Sequence, residues 1–309
     1  MQEEVHKSAA VPYAELKALS EPSDRAGLLH LLGHFCLILA TAALIWLSRE
    51  EIWLLLPAML LHGVAITFLF APLHETIHRT AFRSKGLNDA VAWFAGAVLL
   101  LPPVYFRYFH FAHHRHTQDP ARDPEIATPR PATWRGYLLH VSGLPYWIGY
   151  IRILLVHAFG RVSEPFVPKG RRGEIVAEAR ILLAVYLGIA AASAVLATDA
   201  ALLYWVIPAL LGQPFLRLYL LAEHGRCPLV RDMLANTRTT LTSGLVRFLA
   251  WNMPYHTEHH VYPALPFHRL PQAHALLKDK LRVTTPGYLA FHRDFTKGFS
   301  RGQSTEQSA

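Results

Sequence analysis

Four stretches of about 20 residues, nearly free of charge, constrain this chain more than anything else in it: 28–47, 52–73, 181–198 and 201–221. At a rise of about 1.5 Å per residue, a helix of that length crosses a hydrocarbon layer about 30 Å thick. The connectors at 48–51 and 199–200 are so short that each pair must form an antiparallel hairpin. Two further apolar stretches, 90–106 and 137–159, are interrupted, the first by Pro102 and Pro103, the second by Gly143, Pro145, Gly149 and Arg152. Both read as interfacial or re-entrant segments. The expected fold class is therefore all-α integral membrane, with four transmembrane helices in two hairpins, interfacial helices and a histidine-rich cap on the cytoplasmic side.

Charge supplies the orientation. Of 30 Lys and Arg residues, only Arg49 falls in a connector expected to face outward, and Glu50 and Glu51 accompany it. The positive-inside rule then puts both termini and the segment between the hairpins in the cytoplasm. The net charge of +8 follows from this topology and from contact with anionic headgroups, and no groove-reading motif suggests nucleic acid. The expected organisation is a polar tail over 1–27, one membrane domain over 28–298 and a disordered tail over 299–309. The first apolar block lacks the cleavage pattern of a secretory signal, so no removal is expected. Cys36, within a span, and Cys227, beyond the fourth, are not expected to pair.

Histidine is bunched into three runs. The first holds His74 and His78, the second His110, His113 and His114, and the third His256, His259 and His260. On a helix, positions i, i+3 and i+4 share a face, so each run aims its imidazoles in one direction. One zinc ion would use three or four of the eight, and two metal ions fit the count better. If the runs build one site they must share a membrane side, which requires the even number of crossings already inferred. His224, just past the fourth block, is expected as a ninth ligand, with an interfacial cap as its alternative. Glu75, Asp119, Asp123, Glu125 and Glu258 are candidate acceptors for ligand N–H groups, and Asn252 and Asn236 are candidates to hold a metal-bound water. Phe106, Tyr108, Trp147, Tyr219, Trp251 and Tyr255 are candidate channel-lining aromatics. His30 and His34, His116 and His268 are weighed as outlying contributors.

His74–Glu75–x–x–His78 is also a zinc-protease signature, although such an enzyme needs no further histidine runs. A metal transporter is a second alternative, but its ionisable residues should lie in mid-span. At these three runs, in this order and with two spans before the third, the chain resembles the membrane fatty acid desaturases and their hydroxylase relatives. The likeness covers roughly residues 50–275, including the stretch from Asn252 through Pro263 and on to Pro271. The resemblance implies two iron (Fe2+) ions held largely by histidine, with His224 contributing, and dioxygen as co-substrate. It also implies a lipid or fatty acyl substrate and insertion of a double bond, with hydroxylation of a fatty acid, alkane or carotenoid as the alternative. No cytochrome b5 domain or Gly-rich nucleotide fingerprint is present, so a separate donor, of ferredoxin or cytochrome b5 type with a reductase, is expected.

Overall fold

The computed structural model describes residues 13–299. Its helices are α1 (Tyr13–Leu19), α2 (Asp24–Ser48), α3 (Ile52–Thr67), α4 (Phe70–His78), α5 (Lys85–Leu99), α6 (Pro103–His116), α7 (Trp134–Val141) and α8 (Leu144–Ala158). There follow α9 (Arg172–Val195), α10 (Ile207–His224), α11 (Met233–Asn236), α12 (Gly244–Leu249), α13 (His256–Val261), α14 (Leu270–Leu277) and α15 (Tyr288–Thr296). The strand content is one parallel pair, β1 (Thr239–Thr240) with β2 (Thr284–Thr285), among the described residues.

Four helices are long and apolar enough to cross a membrane: Asp24–Ser48, Ile52–His78, Lys169–Val195 and Leu202–His224. Each runs past its expected limits where polar residues continue the helix. The first starts at Asp24 because the Ser23 hydroxyl accepts from the Ala26 N–H and caps the open end. The second continues through a break at Phe68 and Leu69 into α4, and the fourth opens with a π-helical turn at Leu202–Val206. These extensions carry His74, His78 and His224 out to the ends of two spans. Within the expected polar tail over 1–27, α1 and the start of α2 are helical, and residues 1–12 fall outside the described residues. Phe299 packs on Trp134, Tyr137 and Phe295, and the rest of the expected C-terminal tail, residues 300–309, also lies outside the described residues.

The two interrupted apolar stretches form bent pairs. Helices α5 and α6 meet at 95°, and α7 and α8 at 55°. Leu100, with φ of 54°, and the prolines that follow turn the first corner, and Gly143, with φ of +73°, turns the second. In the second corner a Cβ on Gly143 would lie 2.4 Å from Gln213 Cγ, so only glycine fits. The carboxylate of Glu178, on α9, accepts from the N–H groups of Val104 and Tyr105 at 2.6 and 2.9 Å and so closes the N-terminus of α6.

The lateral surface is apolar and the interior partly polar, as a bilayer requires. Leu47, Trp53 and Val195 are each at least 78% exposed, whereas His34, Thr41, His62 and Gln213 are buried. His62 joins three elements, its Nε2–H donating to the Tyr204 carbonyl (3.0 Å) and its Nδ1 accepting from Thr41 Oγ1 (2.9 Å). Helices α3 and α10 touch backbone to backbone, since a Cβ on Gly212 would lie 2.1 Å from the Gly63 carbonyl. Above the spans, α12 to α14 pack a cap around Trp251, Phe267 and Leu270.

Gly212→Ala is therefore expected to destabilise the protein by about 1–3 kcal/mol, read as a lowered thermal midpoint in detergent. Gly86→Ala, which meets only open space, should leave the midpoint unchanged or raise it. Equal midpoints for the two variants would show that α3 and α10 are free to separate.

Candidate metal centre

Four elements deliver the imidazoles. Helix α4 presents His74 and His78 one turn apart, α6 presents His110, His113 and His114, α13 presents His256, His259 and His260, and α10 ends on His224. Two consecutive left-handed residues, Trp251 and Asn252 (φ 48° and 58°), reverse the chain just before α13.

All nine histidines meet at the same end of the spans, in two groups. His74, His78, His110, His114 and His259 place one ring nitrogen each within 4.8 Å of one another, as do His113, His224 and His260. His256 joins the second group, its Nε2 3.2 Å from His224 Nε2 and its ring 4.6 Å from that of His260. In the first group His114 Nε2 lies 2.8 Å from His110 Nε2 and 3.2 Å from His259 Nε2. Two nitrogens bound at about 2.1 Å to one cation stand about 3 Å apart, so this spacing is that of a shared ligand sphere.

Tautomers in the second group are fixed by acceptors that sequence reasoning partly missed. His113 Nδ1–H donates to Asp123 Oδ1 at 2.9 Å, and His224 Nδ1–H donates to the Asn236 carbonyl at 3.2 Å. The Thr117 hydroxyl donates to the His113 carbonyl and so can only accept from His260 Nδ1, at 3.3 Å. In the neutral rings each Nε2 then carries a bare lone pair, and two of them face each other at 3.2 Å. His260 Nε2 and both nitrogens of His74 are buried without a hydrogen-bond partner. A cation is the group that satisfies such an arrangement. Burial, reinforced by neighbouring imidazoles, holds His256, His259 and His260 well below the ordinary histidine range, which leaves them neutral and ready to ligate.

Of the carboxylates singled out in the sequence, Asp123 reaches a histidine Nδ1, and Glu125 Oε2 lies 3.3 Å from His113 Nε2, on the inward side. The others are turned elsewhere. Glu75 accepts from Thr80 Oγ1 and the Phe267 N–H, because it sits a quarter turn from the His74/His78 face. Glu258 lies opposite the three histidines of α13 and instead joins Thr239 Oγ1 and His274 Nδ1, clamping that helix to β1 and α14. Asp119 is bonded to Arg122 and the Ala121 N–H in the turn beyond α6. Asn252 donates to the Phe267 carbonyl and serves the turn. The Asn236 side chain donates to the Thr117 and Val230 carbonyls, so its backbone oxygen is what meets the histidines. Glu223, overlooked in the sequence, stands 3.5 Å from His256 Nδ1; its place beside His224 was the only signal. His30 and His34 bond the carbonyls of Phe248 and Ala65, and neither they nor His116 and His268 stand in the two groups.

A cavity of about 350 Å³ opens onto this centre, with His74, His110, His113, His224 and His256 at one end. Phe106 alone of the six expected aromatics lines it. Trp147 lines a separate apolar cavity, and Tyr219, Trp251 and Tyr255 are packed in the cap core. Both cysteines are free.

The family model described as fatty acid desaturase matches residues 50–292. The chain belongs to the fatty acid desaturase family. It is 26% identical to the dihydrorhizobitoxine desaturase of Bradyrhizobium elkanii, over 94% of this chain and 86% of that protein. It is 24% identical to the sn-1 oleoyl-lipid 12-desaturase of Picosynechococcus sp. over 74% of this chain and 70% of the relative. The sphingolipid delta(4)-desaturase DES1 of Drosophila melanogaster is 25% identical over 74% and 67%. The chain is thus a membrane-bound enzyme of the desaturase type. Glu75, which a zinc protease would need as its base, is occupied by Thr80 and Phe267.

Asp123→Ala should release His113 and lower metal affinity about 10- to 100-fold, measured by competition with a chelator. Asp119→Ala, remote from the rings, should leave the affinity unchanged.

Proposed function

We propose that the nine histidines hold two iron ions and that the enzyme uses dioxygen to introduce a double bond into the carbon chain of a lipid substrate. The observation that carries this reading is the pair of converging imidazole groups, five and four, with members of both lining one cavity. A nitrogen-rich, oxygen-poor donor set suits a divalent transition metal. When bound, iron together with dioxygen supplies the oxidising power that an unactivated C–H bond demands.

The protein's own part is to position and to insulate. Asp123, Thr117 and the Asn236 carbonyl hold three rings in the tautomer that ligates. The cavity keeps adjacent carbons of the substrate against the imidazole wall, and Phe70, Phe106 and Phe109 exclude water there. Removing two hydrogens from neighbouring carbons, with two electrons and two protons from a separate donor, reduces one dioxygen to two waters. The donor is of ferredoxin or cytochrome b5 type, fed by a reductase, and it docks on the cytoplasmic side, where the Lys and Arg residues collect.

His113→Ala and His259→Ala are expected to lose bound iron and to abolish the two-hydrogen loss seen by mass spectrometry of extracted lipids. His292→Ala, whose ring bonds Leu218 and Tyr137 away from both groups, should keep its iron. Normal iron in His259→Ala would refute the assignment.

A further inference from the structure

The cavity that meets the imidazoles is lined unlike a simple channel for an acyl chain. Arg217 and Tyr146 line it together with the aromatic residues beside the metal centre. Arg217 lies on α10 seven residues before His224, which is two helical turns, so both side chains leave the same face about 10 Å apart along the axis. Its guanidinium sits 4.6 Å above the Tyr146 ring, and that tyrosine is pinned by donating to the Leu99 carbonyl at 2.7 Å. The planar fork is therefore held in place by a fixed aromatic platform.

What the fork lacks is an anion. Among the described residues no carboxylate lies within ion-pair distance of Arg217, and its Nε is buried without a partner. The two carboxylates that share the cavity face the metal centre instead, Glu125 toward His113 and Glu223 toward His256. Arg130, the other cation lining the cavity, donates to Gln118 Oε1. One turn before Arg217 on α10, away from His224, Gln213 is fully buried with neither amide atom partnered. Glu125 and Glu223 act on this guanidinium only from beyond contact distance, and a guanidinium near a span end that faces a cavity with no carboxylate in contact marks a place where a ligand brings the opposite charge.

We infer that Arg217 binds a free carboxylate on the substrate. Resting on the proposed function above, this deepens it. The molecule enters as an acid rather than an ester, its carboxylate pairs with the guanidinium, and its chain runs along α10 toward the imidazoles. An ester would offer a neutral carbonyl and forfeit the charge-assisted pair. A volume of about 350 Å³ stands at the small end of ligand pockets, which suits a short carboxylate. The carbons presented to the metal centre are then fixed by their count from the carboxylate, since Arg217 and His224 share one rigid helix.

The test compares octanoate with methyl octanoate and octyl phosphate by calorimetric titration of the full chain in nanodiscs, with iron content measured on the same samples. Octanoate should bind roughly 10- to 100-fold more tightly than its methyl ester. Arg217→Met should abolish that preference and Tyr146→Leu should reduce it, while Arg130→Met retains it. Equal binding of acid and ester to the unaltered protein overturns the inference even if neither variant folds. So does tighter binding of octyl phosphate than of octanoate, or loss of the preference in Arg130→Met alone. Full iron with no preference for the acid refutes the role of Arg217 and leaves the metal centre standing. Absent iron refutes the metal reading instead, and the acid–ester comparison remains measurable without it.

Discussion

Lone pairs aimed at one another in a dry space are the constraint on which this structure turns. Nine imidazoles are drawn from four elements, and in one group every Nδ1–H that the acceptors define is already spent on Asp123, Thr117 or Asn236. The inward nitrogens then have no protons to share. Such a cluster is stable only around positive charge, and the surrounding architecture keeps it intact. Spans extend past their apolar stretches to carry His78 and His224 inward, proline-marked corners fold α6 beneath the cap, and a left-handed turn aims α13 at the centre.

Much of this was legible in the residues because both signals are periodic. Apolar blocks of about 20 residues give spans by length alone, and three histidine runs with helical spacing give a shared face. Hydropathy stops where polarity begins, whereas a helix does not. The second span therefore ends at His78 rather than 73, and the fourth at His224 rather than 221. The bends at 100–102 and 143 were visible as Pro and Gly, although their angles were not.

Second partners of the histidines were harder to foresee, for a physical reason. A carboxylate near a histidine in sequence need not lie near it in space: Glu75 and Glu258 leave their helices in a different direction from the neighbouring histidines, and Asp119 lies in the turn beyond α6. The partners that do count include a backbone carbonyl at Asn236 and a hydroxyl at Thr117, groups that almost any sequence contains. Only the folded chain distinguishes them. Arg217 was readable as a lone charge near a span end, but its stacking on Tyr146 depends on where α8 lands after its glycine corner.

The grip of Glu178 on the first turn of α6 carries a mechanical consequence. Because the carboxylate belongs to α9, the axial position of the second histidine run is referenced to a membrane span and not to the loops on either side of it. Those loops can lengthen or shorten over evolutionary time without sliding His110, His113 and His114 past their counterparts. The spans act as a ruler, and the connecting segments are left free to vary.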